Sequence, residues 1–175
     1  LYVTFTDYLK ENSMLSEKLN KELNAQINRE FYSGYLYLSM ANYFHENNLH
    51  GFEHWCKKQA HEEVEHGMAI LEFMNRLNSK IQLLEINEPE TNFTSPIDTI
   101  KDMLNHEKYI TGSLHTIAVI AKDENAFTTF HFLEKMLEEQ IEEEEVAYDI
   151  YEKFRMLNEC KSALFNLDKE LHTRN

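Results

Sequence analysis

From Met14 onward, apolar residues recur at steps of three and four, the period of an amphipathic helix. A first run reads Leu15, Leu19, Leu23, Ile27, Gly34, Tyr37, Ala41 and Phe44, and His50-Gly51 breaks it. A second reads Phe52, Trp55, Gln59, Ile70, Phe73 and Leu77, after which residues 79–95 lose the pattern and contain Pro89. Ser95, followed by Pro96 and Asp98, predicts an N-cap with Pro at the first helical position. The third run then follows as Ile97, Ile100, Leu104, Thr111, Leu114, Ala118 and Ala121. After a short break at 123–125, the fourth reads Leu133, Met136, Ala147, Ile150, Phe154 and Leu157, and an apolar stretch at 163–171 predicts a short fifth helix. Each long run covers roughly 25–30 residues, or about 40 Å of helix. Two short breaks imply antiparallel hairpins, and the segment 79–95 is long enough to run the length of a bundle. The expected fold is all-α: a four-helix bundle with one long crossover and a short C-terminal helix.

The polar residues that interrupt these seams carry the chemistry. The seam position between Ile27 and Gly34 is Glu30, and those between Gln59 and Ile70 are Glu63 and His66. Glu107 falls between Leu104 and Thr111, while Gln140 and Glu143 fall between Met136 and Ala147. Glu30 and Glu63 are 33 residues apart, as are Glu107 and Gln140, and an offset of 77 relates the two halves. Hairpins with equal arms bring such residues to one height. Glu63-x-x-His66 sets a carboxylate and an imidazole one turn apart on one face. Buried unpaired carboxylates are costly, so four together need a shared counter-charge, which two divalent ions supply. Any one of these residues alone reads more simply as a solvated side chain, and so do the runs 62–65 and 142–145. Chance does not readily place a polar break at the middle of all four seams.

Composition agrees with this picture. The chain has 17 basic and 31 acidic residues, a net charge of −14, which disfavours nucleic acid and anionic membrane partners and suits cation collection. Only 4 Gly and 2 Pro argue against β-rich folds. Mean hydropathy is −0.57, and no apolar run reaches the roughly 18 residues of a membrane span. Cys56 and Cys160 are far apart in sequence and predict no disulfide framework, so a cytoplasmic location is expected. Residues 1–13 lack a basic start followed by an apolar stretch. They are read as a leader or an added remnant, with the domain at 14–175. His45, His50, His54, His61, His106, His115, His131 and His172 are expected at the surface, and Trp55 and Cys56 in the core. Tyr37, seven residues after Glu30 on the same face, is placed for a hydrogen-bond or redox role as well as for packing.

Oxygen-rich ligation with one imidazole fits iron or manganese better than zinc. The motifs around these positions are Asn28-Arg-Glu-Phe-Tyr-Ser33, Ala60-His-Glu-Glu-Val-Glu-His66, His106-Glu107 and Glu139-Gln-Ile-Glu-Glu143. With Asn166-Leu-Asp-Lys-Glu-Leu171 they make the chain resemble a bacterial non-haem ferritin from Met14 to about Leu171. The resemblance implies a ferritin-like di-iron domain and a ferroxidase centre. Glu30, Glu63 and His66 would hold one iron with Glu63 bridging, Glu107 and Glu143 the second, with Gln140 beside it. A third iron site would fall on Glu62, Glu139, Glu142 and Glu143, and Tyr37 matches the family's tyrosine near the centre. The resemblance also implies Fe(II) oxidation by dioxygen or hydrogen peroxide, mineral storage in a 24-subunit homo-oligomeric shell, and no haem. Lys135 departs from the relatives that carry Trp there, which puts a Trp electron donor in question but not the iron chemistry.

Other readings stay open. A bacterioferritin would carry Glu-x-x-His in both halves and a haem-binding Met, and Gln140-x-x-Glu143 counts against it. A rubrerythrin-like redox enzyme without storage would need a CxxC-bearing segment. A manganese catalase or a ribonucleotide-reductase-like enzyme suits this length less well, and a purely structural bundle would bind no metal at all.

Overall fold

In the computed structural model, residues 14–157 and 160–174 are described, so the expectation for residues 1–13 lies outside the described residues. Among the described residues, five helices follow in order: α1 (Glu17–Glu46), α2 (His50–Arg76), α3 (Pro96–Asp123), α4 (Phe127–Met156) and α5 (Lys161–Leu171). No strand occurs among the described residues. Helices α1 and α2 form one hairpin and α3 and α4 the other, and α5 rests mainly on α2. The bundle with one long crossover and a short closing helix is therefore the observed fold. Among the described residues, no helix is long and apolar enough to cross a membrane.

Local signals explain most of the boundaries. Ser16 caps α1 by accepting the Leu19 N–H at 3.0 Å. Ser95 caps α3 by accepting the Asp98 N–H at 3.2 Å, with Pro96 at the first turn as expected. Asn48, Asn78 and Asn125 sit just past the ends of α1, α2 and α3 with φ of 57°, 52° and 57°. Among side-chain-bearing residues, Asn is one that tolerates this left-handed region. The break between α1 and α2 is short, residues 47–49, and His50 already begins α2.

The start of α2 has no capping side chain of its own. Its Gly51 and Phe52 N–H groups instead donate to Asp168 Oδ1 of α5, at 2.8 and 3.1 Å. A Cβ at position 51 would overlap the Asp168 carbonyl, so glycine permits this docking. The crossover is pinned along α1 by side chains: Asn24 exchanges hydrogen bonds with Lys80 O and Gln82 N, Asn28 donates to Glu85 O, and Ser39 donates to Glu90 O.

Nearly all the seam residues are buried, with Ile97, Thr111, Phe154 and Leu157 half-buried. They form two apolar clusters. One contains Leu19, Leu23, Ile27, Ile70, Leu114 and Leu133, and the other Tyr37, Phe44, Phe52, Trp55, Ile100 and Ile150. The polar mid-seam positions lie between these two clusters in the order of every long helix, so the bundle carries its carboxylates where its apolar core is interrupted.

Candidate metal centre

Each long helix contributes to one buried polar cluster. Glu30 from α1, Glu63 from α2, Glu107 from α3 and Gln140 from α4 are all buried, and His66 and Glu143 are half-buried beside them. Two sets of ligand atoms converge. Glu30, Glu63 and His66 offer atoms within 4.8 Å of one another, and so do Glu63, Glu107 and Glu143. Glu63 is common to both. Helices α1 and α2 approach closely at this height, where a Cβ on Gly34 would stand 3.0 Å from the Ala60 carbonyl.

Carboxamides and hydroxyls orient the carboxylates. Gln26 Nε2 donates to Glu30 Oε1 at 2.7 Å, and Gln26 is itself held by Arg29 and Ser113 at 3.0 and 2.7 Å. Gln59 Nε2 donates to Glu63 Oε1 at 2.9 Å and also to Glu143. Gln140 Nε2 donates to Glu107 Oε2 at 2.6 Å, and the buried Tyr37 hydroxyl donates to Glu107 Oε1. Among the described residues, Glu30 Oε2 has no hydrogen-bond partner. That is a buried acceptor facing a cluster of acceptors, the arrangement that a cation completes.

The electrostatics follow from this crowding. Burial, followed by repulsion from Glu63, pushes Glu30 up from 4.5 to about 8 and Glu143 up to about 7. The same two causes raise Glu107 well above the carboxylate range. For His66, burial opposes the charged form most strongly among single causes, yet Glu63, Glu30 and Glu143 together lift it from 6.5 to about 9. Burial, then Glu107, raises Tyr37 well above the usual phenol range. The centre holds protons where it could hold metal ions.

Beside the cluster is a cavity of about 450 Å³, lined in part by Glu62, Glu139, Glu142 and Glu143. The side chains expected for a third iron site thus share one cavity with His66, whose Nε2 is 3.8 Å from Glu139 Oε2. Arg174, from the turn after α5, reaches into it and pairs with Glu62. Lys135 is exposed. A separate surface cluster of His45, His50 and Glu53 sits at the α1–α2 turn. There hydrogen bonds from Lys57, at 2.6 Å, and from His50 and His45 push the Glu53 carboxyl down to about 2.

Two histidine expectations are corrected. His106 is not at the surface but half-buried, 2.7 Å from Ser33 Oγ and edge-on to the Tyr37 ring, and burial lowers its pKa. His54 is half-buried, with Nε2 2.9 Å from the Arg174 carbonyl. His45, His50, His61, His115, His131 and His172 are exposed and Cys56 is buried, as expected. The sequence reading missed Gln26 and the bridging role of Gln59. A signal for both existed: Gln-x-x-x-Glu occurs at 26–30 and at 59–63, and residues four apart share a helical face.

A ferritin-like domain family model matches residues 20–157. The chain belongs to the ferritin family. It is 35% identical over 156 residues to a bacterial non-heme ferritin of Campylobacter jejuni, spanning 89% of this chain and 93% of that protein. It is 31% identical to one from Staphylococcus aureus, spanning 92% and 97%. Among solved structures, an open pore ferritin from Archaeoglobus fulgidus superposes with a TM-score of 0.90 at 41% identity, covering 92% and 98%. A humanized archaeal ferritin matches equally well, at a TM-score of 0.90 and 42% identity.

Proposed function

We propose that this protein oxidises Fe(II) at the four-helix cluster and stores the product as a ferric mineral inside a hollow homo-oligomeric shell, built from 24 copies as the family resemblance implies. The sharing of Glu63 between two ligand sets carries this reading. Glu30, Glu63 and His66 hold one ferrous ion, and Glu63, Glu107 and Glu143 the other, with Gln140 fixing Glu107. Four carboxylates balance two divalent ions, and Glu30 Oε2 gains the partner it otherwise lacks. Two ferrous ions together supply the two electrons that take dioxygen to peroxide, or one hydrogen peroxide to water. Tyr37 orients Glu107 and favours its ionised form by donating to it. Glu62, Glu139, Glu142 and Glu143 form a third, more open iron site in the adjoining cavity.

Storage needs a closed container, and the outer face of α1 and α2 supports self-association. Tyr35, Leu38, Val64 and Ile86 are exposed there and line an apolar groove of about 420 Å³. A second copy would bury it. The test is an aerobic Fe(II) titration followed by gel filtration with iron counted in the protein peak. Loading far beyond three ions per chain in a very large assembly is expected. Oxidation that stops at the local stoichiometry on a small oligomer would instead mark a redox enzyme without storage.

A further inference from the structure

The cavity that adjoins the centre already contains a cation, and it belongs to the chain. Arg174 lies in the turn that follows α5 and is half-buried. Its Nη2 pairs with Glu62 and donates to Gln59 Oε1 at 2.9 Å, while Nη1 reaches the Trp55 carbonyl at 3.4 Å. The guanidinium carbon stands 4.5 Å from the centroid of the Trp55 ring, within the range of a cation–π contact. His54 Nε2 holds the Arg174 backbone carbonyl at 2.9 Å, and His54 packs against His172, with ring centroids 5.0 Å apart. Contacts with Trp55, Gln59, Glu62 and His54 of α2 thus fasten residues 172–174 across the cavity.

We propose that Arg174 is the resident cation of the third site. It competes with a metal ion for Glu62, so that the third ion binds only as the turn after α5 lifts off Trp55. This deepens the function proposed above and rests on it. The guanidinium occupies a Glu62 oxygen that a metal ion would otherwise take, and it is charged at every accessible pH. The link to the di-iron cluster is Gln59. Its Oε1 accepts from Arg174, while its Nε2 donates to Glu63 and Glu143. A departing Arg174 therefore frees the carboxamide that orients the shared ligand of the main centre. Filling the third site and adjusting the first two become one event.

Trp55 is the single tryptophan of the chain, so its emission reports on Arg174 directly. Metal-stripped, assembled protein is titrated with Zn²⁺, which carries no redox chemistry, by calorimetry and by Trp55 fluorescence, for wild type, R174A and R174K. R174A is expected to tighten the third step by about tenfold, the worth of one charge-assisted hydrogen bond. R174K keeps the charge and so keeps the third step weak, which separates competition from lost packing on Trp55. The third equivalent should change Trp55 emission in wild type and leave R174A unmoved. If two ions bind to all three proteins and the third step is the same or weaker in R174A, the role of Arg174 is overturned while the centre stands. If the first two steps are missing from wild type as well, the reading of the centre falls, and this proposal with it.

Discussion

Replacing Glu30 by Gln should stabilise the metal-free protein while removing a ligand. Glu30 is buried, its Oε1 accepts from Gln26, and its Oε2 lacks a partner. Its pKa is raised from 4.5 to about 8, chiefly by burial and then by Glu63. Because the folded-state value lies above the unfolded one, the native protein holds this proton longer. The stability it contributes is complete below pH 4.5 and is lost as pH rises through about 8. Linkage then gives a cost of about 1 kcal/mol at pH 5 and about 3 kcal/mol at pH 7. A glutamine does permanently what the proton does. It keeps the Gln26 contact, and its own N–H can donate toward Glu63. At this chain length the pH 7 difference corresponds to roughly 6–12 °C in Tm. Differential scanning calorimetry of chelator-treated wild type and E30Q from pH 5 to pH 8 measures it. The two curves should diverge with rising pH, E30Q being the more stable. Parallel curves, or an E30Q protein less stable at pH 7, would refute the account of a proton-holding, cation-seeking cluster.

Zn²⁺ should raise the Tm of wild type, by about 2.7 kcal/mol of stability at a hundredfold excess over Kd. H66A should lose most of that gain, and an equal gain in both proteins would count against His66 as a ligand. In Y37F, Glu107 loses a donor that favours its ionised form. The pH midpoint of Zn²⁺ binding should therefore move up by about one unit, and an unmoved midpoint would reduce Tyr37 to packing. D168A removes the cap that α5 supplies to Gly51 and Phe52, at a cost of about 1–2 kcal/mol. Hydrogen exchange in 161–171 should rise with it, and unchanged protection there would show that α5 is held by its apolar contacts alone.

The helical period with its polar interruptions determined the architecture before any coordinates. Seam residues such as Leu19, Ile27, Ile70 and Leu114 are buried because only burial makes a three-four repeat favourable. The equal spacing of 33 residues foretold that Glu30, Glu63, Glu107 and Gln140 would meet, since helical rise converts residue number into height. Tertiary structure alone decided what depends on side-chain reach between distant segments. Asp168 caps a helix more than a hundred residues earlier, His106 is drawn inward to Ser33, and Arg174 enters an acidic cavity beside Trp55. None of these leaves a periodic trace, because a single long or polar side chain satisfies a distant group without altering the pattern around it. The Gln-x-x-x-Glu pairs fall between the two cases. Their spacing was visible, but that Gln59 joins Glu63 to Glu143 follows only once α2 and α4 stand side by side.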